Sequence, residues 1–349
     1  MDADSRSARH HHELAELRAA LARARRALTG WAEPTTWATP HRETDRLGST
    51  RLLRFDEIDH GGATPLIIVY AMVNRPYVLD LAEDRSFVRG LLDGRRPVYV
   101  MDWGDPEPED HARPLADYVG RLASLVDRVR ERHGVDAVDL LGVCQGGTLS
   151  LCHAGLSPAS VRRLVTMVTP VDFGTTDNLL GALVRSIDVD GLVAGLGAAP
   201  GALLNAGFLA LRPLRLGGQK YLDALVDLQD AGRAGLVLRM ERWIQDSPDQ
   251  PLQAFREFVR LFFVENRLAR GRLELDGREV SLTRLQAPVL NVYATRDHIV
   301  PPASARALGT RLREVRYQEL PFDGGHIGIY VSRRAGATVP GAIARWLDA

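Results

Sequence analysis

Short unbroken apolar runs recur along the chain, and between them apolar positions fall at helical spacing. Pro65-Leu66-Ile67-Ile68-Val69-Tyr70, Pro97-Val98-Tyr99-Val100-Met101, Val138-Asp139-Leu140-Leu141, Arg163-Leu164-Val165-Thr166-Met167-Val168 and Pro288-Val289-Leu290-Asn291-Val292-Tyr293 each read as a buried strand. A further strand is predicted near Tyr317–Leu320. A short one near Arg51–Phe55 ends an otherwise irregular lead-in over residues 31–60. Leu115, Val119, Leu122, Leu125, Val126 and Val129 mark one face of an amphipathic helix, and a last helix runs around Ile343, Trp346 and Leu347. Buried strands alternating with helices predict an α/β fold, its sheet mostly parallel with helices on both faces.

From about 174 to 270 this alternation stops. The stretch is helical by pattern, is interrupted by glycines and prolines, and carries aromatic residues at Trp243, Phe255, Phe258, Phe262 and Phe263. It is expected to be a helical cap inserted between strands, so that residues 36–173 and 271–349 form the core. Residues 1–35 stand apart as a polar, helical extension: His10-His11-His12, then heptad-like Leu14, Leu17, Leu21 and Leu28 among arginines. Three successive histidines cannot converge from one helix face, so no metal site is expected there.

With 349 residues, 45% of them hydrophobic, the chain can bury a full core. Lys and Arg balance Asp and Glu at 44 each, which gives no electrostatic reason to expect a nucleic acid or an anionic membrane as partner. Cys144 and Cys152 are the only cysteines; they do not form a disulfide framework, and a cytoplasmic location is expected. The polar N-terminus does not read as a signal peptide, and no apolar run approaches the ~18 residues of a membrane span.

The candidate chemistry sits after the third strong strand. Gly142-Val143-Cys144-Gln145-Gly146-Gly147 is a nucleophile elbow, G-x-nucleophile-x-G, with cysteine where serine usually stands. A strand precedes it and a helix, from Thr148-Leu149-Ser150-Leu151, follows. Asp297 ends a later strand and His326 follows the last one. Nucleophile, acid, histidine is the chain order of α/β-hydrolases, and strand ends are where active sites of open parallel sheets gather. The backbone N–H of Gln145 is the expected first oxyanion donor. The second is expected from the loop Tyr70-Ala71-Met72-Val73-Asn74, at the Val73 N–H. His298, beside Asp297, is an auxiliary histidine, because adjacent residues at a strand end point apart. Cysteine narrows the reaction. A thiolate exchanges nearly thermoneutrally with a thioester, and the acyl-Cys so formed can pass its acyl group downhill to an alcohol. The elbow therefore suits acyl transfer from a thioester such as acyl-CoA better than ester hydrolysis.

From about Thr39 onward the chain closely resembles the catalytic subunit of class III polyhydroxyalkanoate synthases, members of the α/β-hydrolase superfamily. The strings that carry the resemblance are Val69 to Tyr77, Gly142 to Gly147, Arg239 to Gln250, Tyr293 to Pro302 and Gly324 to Val331. The resemblance implies an (R)-3-hydroxyacyl-CoA substrate, 3-hydroxybutyryl-CoA in the first instance, release of CoA and a polyester product. It implies Cys144 as the acylated nucleophile, His326 as its base, and Asp297 as third member with a part in activating the incoming hydroxyl. No cofactor is implied beyond the coenzyme A of the substrate. A separate accessory subunit, the surface of cytoplasmic polyester granules, and a homodimer or hetero-oligomer are implied partners and state. A Cys-dependent thioesterase or depolymerase on the same fold is the alternative, since fold does not dictate function.

Overall fold

The computed structural model describes residues 37–55, 63–196, 199–211, 231–312 and 316–349. The N-terminal extension with its histidine run, and residues 212–230 of the predicted insertion, lie outside the described residues. Eight strands form the main sheet: β1 (Arg42–Leu47), β2 (Thr50–Arg54), β3 (Leu66–Val69), β4 (Val98–Asp102), β5 (Val138–Val143), β6 (Val161–Met167), β7 (Val289–Ala294) and β8 (Tyr317–Phe322). Their order across the sheet is β1-β2-β4-β3-β5-β6-β7-β8. β1, β2 and β4 pair antiparallel, and every pairing from β4 to β8 is parallel.

β3 shows why the strand runs are unbroken. Ile67 and Val69 join the apolar cluster on one face of the sheet, and Leu66 and Ile68 join that on the other. All four are fully buried, as the two-residue period requires of a strand with a layer on each side. One layer holds α2 (Leu115–His133) and α3 (Gln145–Leu156); the other holds α1 (Phe87–Leu92) and the terminal helix α9 (Arg333–Asp348). Asp139, the polar residue inside the β5 run, is buried with Arg96 at 2.9 Å and Arg162 at 2.9 and 2.5 Å, so its charge is matched rather than orphaned.

One expectation is corrected. The lead-in over residues 31–60 is not irregular up to Arg51: Arg42–Leu47 is a strand, antiparallel to β2. It is an edge strand, Arg-Glu-Thr-Asp-Arg-Leu, none of it fully buried, so it has no apolar alternation to read.

Between β6 and β7 lie α4 (Leu179–Arg185), α5 (Val189–Leu196), α6 (Gly201–Ala210), α7 (Ala231–Gln245) and α8 (Leu252–Phe258), the last continuing as π-helical turns through Val264. The aromatic residues noted in this stretch divide. Phe258, Phe262 and Phe263 pack around Phe173 with ring centroids 6.0, 5.5 and 4.8 Å away, and the first two are in the core cluster of α2. Trp243 is buried in the opposite cluster, beside the loop that follows β3.

Candidate active site

Cys144 occupies the turn between β5 and α3 at φ 53°, ψ −124°, a conformation that non-glycine residues seldom adopt. The neighbouring glycines allow it. A Cβ on Gly142 would run into the Gly147 backbone, and one on Gly146 into the carbonyl of Val69 on the adjacent strand. The turn thus lies close against β3, and Cys144, half-buried, packs against the cluster that holds Tyr70 and Val143.

Asp297 and His326 arrive from the next two strand ends. β7 and β8 are in register to their last residues, Ala294 opposite Phe322. Their loops are then tied together, Thr295 N–H donating to Phe322 O at 2.8 Å and Arg296 N–H to Gly324 O at 2.9 Å. His326 Nδ1 lies 2.7 Å from Asp297 Oδ2, with both side chains buried. Asp297 Oδ1 accepts the N–H groups of Ile299 and Val300, each at 2.9 Å. The carboxylate thus requires Nδ1 to be the protonated nitrogen, which leaves Nε2 as the ring nitrogen available to Cys144. Burial alone would push the imidazole down. The facing Asp297 carboxylate and Cys144 sulfur outweigh it and hold His326 up at about 10.

The structure therefore brings Cys144, His326 and Asp297 together. His298 is half-buried, and the carboxylate beside it in sequence is turned to His326. The Gln145 side chain, which carried no expectation of its own, reaches across to the β3 loop, where its Oε1 accepts the Met72 N–H at 2.9 Å. Among the described residues no protein acceptor takes the Gln145 or the Val73 N–H. Tyr70 and Tyr330 were also not singled out. Both are buried, with hydroxyls 3.4 Å apart, and burial raises both phenols, so they stay neutral beside the sulfur. No periodicity marks these residues, because each acts through a contact made across the fold.

The predicted cap segment bonds directly to the β3 loop. Trp243 Nε1 donates to Arg75 O at 2.7 Å, Ser247 Oγ to the Asn74 side chain, and Gln250 Nε2 to Met72 O at 3.1 Å. Asp246 faces Tyr77 Oη at 3.0 Å and Arg75 Nε at 3.1 Å. Leu236, Met240 and Ile244 of α7 pack on the same cluster as Cys144, Val73 and Ile327. Among the described residues no group of three His, Cys, Asp or Glu is placed to hold a metal ion. A cleft of about 520 Å³ elsewhere, lined by Leu47, Arg121, His153 and Leu275 among others, does not include Cys144.

A family model of the alpha/beta hydrolase fold matches residues 64–332. The chain is 48% identical over 305 residues to the poly(3-hydroxyalkanoate) polymerase subunit PhaC of Allochromatium vinosum, covering 87% of this chain and 86% of that one. To the PhaC subunit of Thiocystis violacea it is 49% identical over 286 residues, 82% and 81% of the two chains. The PhaC subunit of Synechocystis is 46% identical over 292 residues, 81% of this chain and 77% of its own. The chain belongs to the PhaC family.

As a PhaC-family member it is an enzyme, an acyltransferase built on the α/β-hydrolase fold. Solved structures agree on the fold alone. A monoacylglycerol lipase from Paleococcus ferrophilus superposes with a TM-score of 0.51 at 16% identity, covering 85% of this chain and 98% of its own. A hydrolase from Pseudomonas aeruginosa gives 0.51 at 16% identity, over 88% and 98%. Among the described residues no helix is long and apolar enough to cross a membrane.

Proposed function

We propose that this chain polymerises (R)-3-hydroxyacyl-CoA, 3-hydroxybutyryl-CoA in particular, into polyester with release of CoA, through an acyl group carried on Cys144. The observation that carries the reading is a cysteine, not a serine, at the elbow of a PhaC-family chain, facing a buried His–Asp pair.

The steps follow from the geometry. His326 Nε2 takes the proton of the Cys144 thiol, which makes the sulfur a nucleophile. The sulfur attacks the thioester carbonyl, and the oxyanion that develops is met by the N–H groups of Gln145 and Val73. Collapse expels the CoA thiolate, which takes the proton from His326 Nε2. The hydroxyl of a second 3-hydroxyacyl unit then attacks the acyl-Cys, His326 accepts its proton, and the Cys144 thiolate leaves as the ester forms. Both oxygens of Asp297 are already engaged, so its effect on the hydroxyl passes through His326. His298 plays an auxiliary part at most.

The insertion, packed over the site, keeps water from the acyl-Cys and also impedes substrate access. Lid opening commonly sets turnover, and a protein that binds only the open form shifts that balance. A separate accessory subunit and the surface of cytoplasmic polyester granules are the proposed partners. Alone, the chain should show weak activity with a lag; equal amounts assayed with the accessory subunit should lose the lag. Full activity alone, with no complex by size-exclusion chromatography, would count against partner dependence.

The test of the reaction is CoA release from (R)-3-hydroxybutyryl-CoA with the product sized. Polymer supports the reading. Free 3-hydroxybutyrate as the sole product would make the chain a thioesterase instead.

A further inference from the structure

We infer that Gln250, a residue of the insertion, is a positioning residue that aims the Val73 N–H as oxyanion donor. This deepens the reading above and rests on it. Gln250 is buried, and its Nε2 faces two carbonyls, Met72 O at 3.1 Å and Pro248 O at 3.0 Å. Two acceptors on one atom require that atom to be the amide nitrogen. Its own backbone N–H is fixed to Ala199 O at 2.9 Å through a one-residue antiparallel bridge, so the side chain is presented from a braced segment.

Met72 is thereby held from both sides. Its N–H is taken by the elbow residue Gln145 and its C=O by Gln250. The Met72 C=O and the Val73 N–H belong to one peptide plane. No peptide bond among the described residues is cis, so the two groups point in opposite directions. Fixing the carbonyl toward the insertion therefore fixes the Val73 N–H away from it. The Met72–Val73 plane turns about two soft single bonds, and nothing else described holds its carbonyl. Without the Gln250 amide, the plane can rotate and bring a carbonyl oxygen, an acceptor, to where the developing oxyanion needs a donor.

The test compares a reaction that develops an oxyanion with one that does not. Acylation of Cys144 by a thioester passes through a tetrahedral oxyanion; alkylation by iodoacetamide, at a saturated carbon, does not. Gln250→Met keeps the length and loses the donor, and Gln250→Ala removes both. Loss of an oxyanion donor costs about 10²–10³-fold in kcat, so a misaimed one should cost at least ~10-fold. We expect kcat for CoA release from (R)-3-hydroxybutyryl-CoA to fall by that much in both variants. KM and the rate of Cys144 alkylation should stay within about 2-fold, because the thiol and His326 are untouched. The alkylation rate doubles as the folding control. A kcat near wild type in Gln250→Met, or a parallel fall of alkylation and acylation in both variants, overturns the inference. Failure of the underlying reading looks different: Cys144→Ala would then keep turning over substrate, whatever Gln250 does.

Discussion

The two ends of α3 each carry a cysteine next to a histidine in space, and they behave oppositely. At the N-terminal end Cys144 meets His326, whose ring is buried yet held up at about 10, because Asp297 and the sulfur face it. Near the C-terminal end Cys152 and His153 are buried, and the hydroxyl of Ser160, not a carboxylate, is bonded to the ring. Burial pushes the Cys152 thiol up to about 12, and the His153 imidazole down to about 4, with Ser160 Oγ 3.0 Å from its Nε2. Residue types are the same and the two histidines are similarly buried; the difference is a hydrogen-bonded carboxylate and a turn that leaves Cys144 only half-buried. A carboxylate 2.7 Å from His326 reverses the sign of its shift, and the strained turn lifts Cys144 out of the helix interior where Cys152 sits.

Exchanging members of the two pairs breaks the comparison most sharply. Loss of a nucleophile that acts as one unit with its base typically costs more than ~10³-fold, so Cys144→Ala should abolish CoA release. Cys144→Ser should leave little, since an alkoxide forms far less readily than a thiolate. Cys152→Ser should alter turnover by less than about 2-fold, its thiol being inert in an apolar interior. Comparable losses at both cysteines would erase the distinction.

The histidines come next in size. His326→Gln should slow acylation by at least ~10²-fold, the usual contribution of a general base. His153→Gln and His298→Gln should do much less in single-turnover assays. An equal loss at His298 would mean that it shares the base role.

A smaller effect is expected in stability against pH, with opposite signs at the two ends. His326 is raised from an unperturbed value of roughly 6.5, so its contribution is fully present below that and is lost as pH rises towards about 10. His153 is depressed, so stability falls as pH drops from roughly 6.5 towards about 4, where the unfolded chain binds the extra proton. Denaturant midpoints of wild type against His326→Gln should converge on the alkaline side. Wild type should lose stability relative to His153→Gln on the acid side. Parallel curves throughout would contradict the assigned environments.

Much of the N-terminal end of α3 was legible beforehand. Strand runs such as Leu66–Val69 read as buried on both faces because they are, and Gly142 and Gly146 marked a turn too close for side chains. Asp297 and His326 were found from their order and their places after strands. The edge strand Arg42–Leu47 was not legible, since its polar residues leave no periodicity. Neither were the amides of Gln145 and Gln250, which converge on Met72 across 73 and 178 residues of sequence. A polar residue in a loop announces no partner; only the folded topology brings the donor to the acceptor.

The central claim is that the acyl group resides on Cys144. Peptide mass spectrometry after rapid mixing with (R)-3-hydroxybutyryl-CoA tests it directly. The account predicts a hydroxybutyryl or oligomeric ester mass on the Cys144 peptide, absent in Cys144→Ala and never on Cys152. CoA release and polymer growth with no adduct at Cys144, or an adduct at Cys152, would contradict it.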